Sequence, residues 1–154
     1  MLQEKHFHRR NLPHLYYNEG IYFVTFRLYD SIHPDELDKL QEITRLRNGD
    51  EKKRFFIKYD ALLDKPFNNV KHLQKTEIAE ICTNAILHFD GKDILVICFV
   101  NMPNHIHLVF ELVNKTKLVG DILGSIKKYS AREANKILKR KGKFWQAESV
   151  DRFV

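Results

Sequence analysis

Apolar side chains recur along this 154-residue chain with two periods, and the switches between them divide it into elements. Residues 1–20 are polar and basic and end in a turn signal, Asn18-Glu19-Gly20. Residues 21–28, Ile-Tyr-Phe-Val-Thr-Phe-Arg-Leu, are β-branched and aromatic and predict a strand. Over 34–48 the pattern changes to helical spacing at Leu37, Leu40, Ile43 and Leu46. Pro34, Asp35 and Glu36 start that helix and Asn48-Gly49 ends it. Residues 51–63 predict a second helix through Phe55, Phe56, Tyr59, Leu62 and Leu63. A loop over 64–70 carries Pro66 and two asparagines. A third helix, 73–89, repeats Ile78, Ile81, Cys82, Ala85, Ile86 and Phe89, and Asp90-Gly91 turns the chain. Residues 94–100 are so uniformly apolar that they predict a central strand. Met102-Pro103-Asn104 connects it to a strand over 105–112. A long helix follows over 117–140, stopped near Gly142, and the tail from Phe144 to Val154 has room for a short final strand.

That order is β-α-β-β-α-β with an extra helical insertion after the first strand. It predicts an α+β, ferredoxin-like antiparallel sheet with helices on one face. The length suits a single domain over 1–154, with 144–154 as a C-terminal tail. Many nucleic-acid binders share this architecture, but the fold alone does not argue for that function.

Charge narrows the partners. Lys plus Arg number 26 against 20 Asp plus Glu, a net charge of +6 that favours a polyanion. The two cysteines, Cys82 in a helical segment and Cys98 in an apolar strand, form no C-x-x-C and read as buried free thiols of a reducing cytosol. The opening residues are polar rather than a leader, and the longest apolar run, 94–100, is far too short to span a bilayer. No membrane role is expected.

The stretch with most chemistry is His105-Ile106-His107. Alternation along a strand puts both imidazoles on one face, roughly 7 Å apart, where they can grip one divalent ion. The helix after them carries Tyr129 and Glu133 one turn apart. With Ile126 at zero and about 100° per residue, Val119, Ile122, Leu123 and Ile137 make the core stripe. Glu133 then falls at about −20°, inside the stripe, and Tyr129 at about −60°, at its edge. A carboxylate in an apolar stripe needs a partner or a metal. Two histidines, a carboxylate and a tyrosine suit metal-assisted attack on a phosphodiester, with Mg²⁺ or Mn²⁺ as the ion and the histidines leaning toward Mn²⁺. Against this stand ordinary readings: solvated histidines, a half-buried tyrosine, and Glu133 paired with Arg132, Lys136 or Lys127. A zinc hydrolase is a further alternative. It needs another ligand from His6, His8, His14, His72 or His88, because Leu108, Val109 and Phe110 supply none. A non-catalytic single-stranded nucleic-acid-binding module of the same fold is the other.

Five segments together resemble one family. They are Arg9-Arg10-Asn11-Leu12-Pro13-His14; Tyr22-Phe23-Val24-Thr25-Phe26-Arg27; Met102-Pro103-Asn104-His105-Ile106-His107; the helix from Ser125 to Asn135; and Phe144-Trp145-Gln146-Ala147-Glu148-Ser149. The chain resembles the HUH-endonuclease superfamily, where U is a hydrophobic residue. Within it the likeness is to IS200/IS605-type Y1 transposases and their REP-associated subgroup. The resemblance implies His105 and His107 as metal ligands and Tyr129 as the nucleophile. Glu133, one turn on, is assigned as third ligand from helix geometry. It implies single-stranded DNA with a REP- or palindrome-like hairpin as partner, cut to leave a 5′-phosphotyrosine and a 3′-OH. It further implies a monomer or homodimer in the bacterial cytoplasm, associated with the nucleoid. The subgroup continues past the position of Val154, so the tail reads as truncated. Arg9, Arg10, Lys127, Lys128, Arg132 and Trp145 are the expected DNA contacts, the tryptophan by stacking on a base.

Overall fold

The computed structural model describes residues 4–9, 13–17, 19–44, 49–65 and 67–154. Two short strands, β1 (Glu4–Arg9) and β2 (Pro13–Tyr17), pair antiparallel as a separate two-stranded sheet. The polar, basic composition of this segment hides the hairpin, because no apolar alternation marks a buried face there.

The main sheet is built from β3 (Gly20–Arg27), β4 (Ile94–Asn101), β5 (His105–Leu112) and β6 (Val150–Phe153). Its order is β4-β5-β3-β6, with every pairing antiparallel. This is the order that the split β-α-β-β-α-β arrangement produces, so the expected α+β class and strand sequence hold. Helices α3 (Thr76–Leu87) and α4 (Val119–Leu138) lie against one face. There Tyr22, Val24, Phe26, Ile106, Leu108 and Phe110 meet Ile78, Cys82, Ile86, Ile122 and Ile126 in the main core.

The insertion after the first core strand, α1 (Pro34–Thr44) and α2 (Gly49–Leu63), serves the opposite face. Leu40, Phe55, Tyr59 and Leu63 enclose Val150 of β6 in a second cluster. Val150 opposes Thr25, so this cluster covers the β6 and β3 side of that face. The expectation of helices on one face therefore holds for α3 and α4 only. Residues 45–48, where the first helix was expected to end, lie outside the described residues.

Three expectations change. The apolar strand β4 is an edge strand rather than a central one. Its outer-face residues Leu95, Ile97 and Val100 are each about half exposed. A register irregularity between Val96 and Cys98 accompanies the turn of Cys98 into solvent, so only Cys82 is a buried thiol. Uniform apolarity misled here because the α1–α2 cover stops short of β4. Helix α4 stops close to the expected place, with Lys139 as its C-cap in the left-handed conformation (φ 51°), three residues before Gly142.

The third change concerns which face of α4 is buried. Its core residues run Val119, Ile122, Leu123, Ile126, Ser130 and Ala134. On the wheel that has Ile126 at zero, Ser130 and Ala134 fall at about +40° and +80°. The contact line thus rotates away from Glu133 as the helix proceeds. Trp145 draws it round: its indole N–H donates to Ser130 Oγ at 2.8 Å.

Candidate metal centre

The two imidazoles sit on the face of β5 that alternation assigns them, opposite Ile106 and Leu108. His105 is in register with Arg27 and His107 with Thr25. Their Nε2 atoms converge to 3.2 Å, with the rings 4.7 Å apart and nearly perpendicular at 79°. Phe23, also on this face, stacks on His107 at 5.4 Å.

The surrounding hydrogen bonds fix the proton on His105. Asn104 Nδ2 donates to the carbonyl of Leu63 at 2.9 Å, so its Oδ1 faces His105 Nδ1 at 2.7 Å as an acceptor. His105 Nδ1 must then carry the proton, which leaves Nε2 as a bare lone pair. The contact between the two Nε2 atoms in turn needs the hydrogen of His107 Nε2. His107 Nδ1 therefore accepts from Thr25 Oγ1, 2.8 Å away. For both Nε2 atoms to face a cation, His107 must carry its proton on Nδ1 instead of Nε2, and the Thr25 hydroxyl must rotate to accept from it. A hydroxyl permits this at no cost in geometry.

Electrostatics favours the neutral imidazole. His105 is buried to 2% exposure. Burial, with the charge of His107 adding to it, pushes its pKa down to about 4. A neutral imidazole is the form that binds metal. Arg27, on the same face, is buried as well; its guanidinium donates to Ser31 Oγ and hydrogen-bonds Tyr59. Burial drives the Tyr59 phenol up to about 12, so it stays protonated. The donor set of two nitrogens with fixed outer partners fits a divalent ion that keeps solvent or phosphate oxygens on its other positions.

The other expected site residues are not brought to this pair. Helix α4 is on the far face of the sheet. Tyr129 is 46% exposed there, with the Arg132 guanidinium 5.6 Å over its ring. Glu133 Oε1 takes hydrogen bonds from Arg132 and Lys136, both at 3.0 Å, and these hold its carboxyl below the usual range. It is thus a surface ion pair, because the helix face rotated away from it. No group of three His, Cys, Asp or Glu side chains able to hold a metal occurs among the described residues.

The expected DNA contacts divide. Lys128 and Arg132 are exposed on α4. Lys127 is an internal tie: its ammonium donates to the carbonyls of Gln146 and Ala147 and sits 6.0 Å over Phe26. Trp145 is 6% exposed, wedged edge-on against Phe26 and Phe144, so no ring face is open to a base. Arg10 lies outside the described residues, and of Arg9 only the backbone in β1 is described. Of the reserve zinc ligands, His72 stacks on Phe144 and contacts Arg140, and His88 caps α3 beside Phe89. The zinc-hydrolase alternative gains no third ligand from them.

Sequence reasoning overlooked the role of Thr25, Asn104's second bond to Leu63, and the part that the expected helix α2 plays at the site. Thr25 carries a signal in hindsight, being the one aliphatic hydroxyl in an otherwise mostly apolar strand.

Among the described residues no helix is long and apolar enough to cross a membrane. No protein of curated function matches the chain. Among the solved structures that resemble it are these two. One is described as the structure of a REP-associated tyrosine transposase bound to a REP hairpin, with a TM-score of 0.53 and 16% identity. The match covers 96% of this chain and 61% of that one, so this chain spans less than two thirds of that protein. The other is described as a putative transposase from Deinococcus radiodurans R1, with a TM-score of 0.42 and 13% identity over 96% of this chain and 86% of that one. The model of the family described as "Transposase IS200 like" matches residues 66–149. That span is more than half of the chain and includes both histidines and α4, and the chain belongs to this IS200-like, Y1 transposase family.

Proposed function

We propose that this chain is a metal-dependent single-stranded DNA transposase, a nickase and ligase that cuts beside hairpins through a covalent 5′-phosphotyrosine. One observation carries the reading: two imidazoles converge to 3.2 Å with their outer nitrogens already bonded, in a chain of the IS200-like family. The hairpin named for the solved relative supports a hairpin partner here. The net charge of +6 supports it too.

A divalent ion at the pair would withdraw charge from the non-bridging oxygens of the scissile phosphate. Mn²⁺ suits two imidazoles better than Mg²⁺ does. In the reaction the Tyr129 hydroxyl attacks phosphorus, forming the phenolic O–P bond and losing its proton. The P–O3′ bond breaks, and the departing oxygen takes up a proton as a 3′-OH. Reversal of these steps joins strands. Tyr129 and the histidines of one chain lie on opposite faces of the sheet, and this separation supports a hydroxyl that acts on DNA held by a second copy's histidines. Lys128 and Arg132, exposed beside Tyr129, would hold the phosphate backbone.

The test is incubation of a labelled hairpin with a single-stranded flank and Mn²⁺, followed by a search for a covalent adduct. Tyr129→Phe and His107→Ala should each abolish the adduct, and their mixture should restore it. If the acting tyrosine is not Tyr129, the Tyr129→Phe protein alone still forms the adduct; if Tyr129 acts on its own chain's histidines, the mixture stays inactive. A second reading, a non-catalytic single-strand-binding module, draws on that same separation of Tyr129 from the histidines. It predicts binding with no adduct from any variant.

A further inference from the structure

We infer that Asp60 of α2 is the acidic member of the metal site, acting from the outer sphere by accepting hydrogen bonds from water on the bound ion. The inference rests on the metal-binding reading of His105 and His107. It gives the carboxylate role to the helical insertion in place of Glu133.

Three contacts aim this side chain. The C-terminus of α2 is tied to the histidine strand, because the Leu63 carbonyl accepts from Asn104, which also holds His105. One turn before Asp60, Phe56 is covered by the Arg152 guanidinium at 5.2 Å. The same guanidinium lies 5.8 Å over Phe23, the ring that stacks on His107. The helix face bearing Phe56 therefore looks toward His107. Asp60 follows Phe56 by four residues and precedes Leu63 by three, which puts it on that face between the two anchors. Burial raises its carboxyl above the ordinary range, with the charges of His107 and Arg152 pulling it down and that of Asp64 pushing it up.

The donor count also bears on the role. Asp60 and the two histidines do not form a three-donor cluster among the described residues. A carboxylate on this face but outside the ligand set is suited to bind water on the ion, and outer-sphere partners of this kind typically change metal affinity by about 10–100-fold. Neither Glu133, ion-paired on the far face, nor the exposed Asp64 has that placement.

The experiment is calorimetric titration of the full chain with Mn²⁺ alone. It compares wild type with Asp60→Asn, Asp60→Ala, Asp64→Asn, Glu133→Gln and His107→Ala. Water proton relaxation of the Mn²⁺ complexes and melting of the metal-free proteins accompany it. Asp60→Asn is expected to weaken Mn²⁺ about 10-fold and to speed exchange of the bound water, with an unchanged apo melting temperature. Asp60→Ala is expected to match or exceed that loss, while Asp64→Asn and Glu133→Gln bind like wild type. If Asp60→Asn binds within twofold of wild type with the same relaxation, while His107→Ala loses the ion, the Asp60 assignment is overturned and the histidine site stands. If His107→Ala also binds normally, the site itself is overturned.

Discussion

Burial of His105 as a neutral imidazole makes stability depend on pH in a defined window. In the folded chain its pKa is about 4, against an ordinary 6.5. Between those values the unfolded chain binds a proton that the folded chain does not, so acid favours unfolding. The contribution is fully present above about pH 6.5, falls as pH drops, and levels off below about pH 4. At about 1.36 kcal/mol per pH unit, the loss across the window is about 3 kcal/mol. Few single groups contribute that much to a domain whose total is on the order of 5–15 kcal/mol. Carboxylates titrate in the same range, so the quantity to read is a difference. Urea unfolding of metal-free wild type and His105→Gln should be followed from pH 7.5 to 4. Gln is uncharged throughout and can still donate to Asn104 Oδ1. The wild-type curve should fall more steeply by up to one proton between pH 6.5 and 4, and the gap between the proteins should change by about 3 kcal/mol. Parallel curves would show that His105 takes up a proton in the folded state, and the fixed tautomer would have to be abandoned.

Thr25→Val removes the hydroxyl that orients His107 and should weaken Mn²⁺ binding about 10-fold, read by titration; an unchanged affinity would free His107 from that partner. Trp145→Phe should cost about 1–2 kcal/mol through the lost bond to buried Ser130, with single-strand affinity unchanged; a large affinity loss would return the tryptophan to the DNA surface. Affinity for a hairpin with a single-stranded flank should exceed that for plain duplex and fall as salt rises, because phosphate contacts release counterions; equal affinities at matched salt would count against the proposed substrate.

Much of the sheet was legible because its pattern is carried by residues that do one thing. Alternation from Tyr22 to Phe26 and from His105 to Leu112 assigns both faces of the two central strands, and the structure keeps them. The final strand, the turn at Asp90-Gly91 and the insertion were equally readable. Where the reading failed, the deciding fact was tertiary. Apolarity says that Leu95, Ile97 and Val100 prefer burial, but not that the α1–α2 cover would end before reaching them. The helical wheel treats α4 as facing one direction throughout. Trp145, 15 residues past Ser130, redirects its second half and leaves Glu133 to its ion pairs. The histidine pair was visible as a motif, whereas its tautomers were not. They depend on Leu63 and Thr25, residues 41 and 82 positions away from Asn104 and His107 respectively. Asp60 escaped notice for the same reason, since only the docking of α2 on the histidine face of the sheet turns it toward His107.

The central claim is that the histidine pair and a tyrosine hydroxyl cut single-stranded DNA by covalent attachment. Its most direct test is a denaturing gel of the chain incubated with a hairpin whose single-stranded flank is labelled on the 3′ side of the cut, in Mn²⁺. The account predicts a labelled protein band that metal chelation, His107→Ala and Tyr129→Phe each remove, and peptide mapping that places the label on Tyr129. A band that survives both substitutions, or no band while the same DNA binds tightly with metal present, would contradict it.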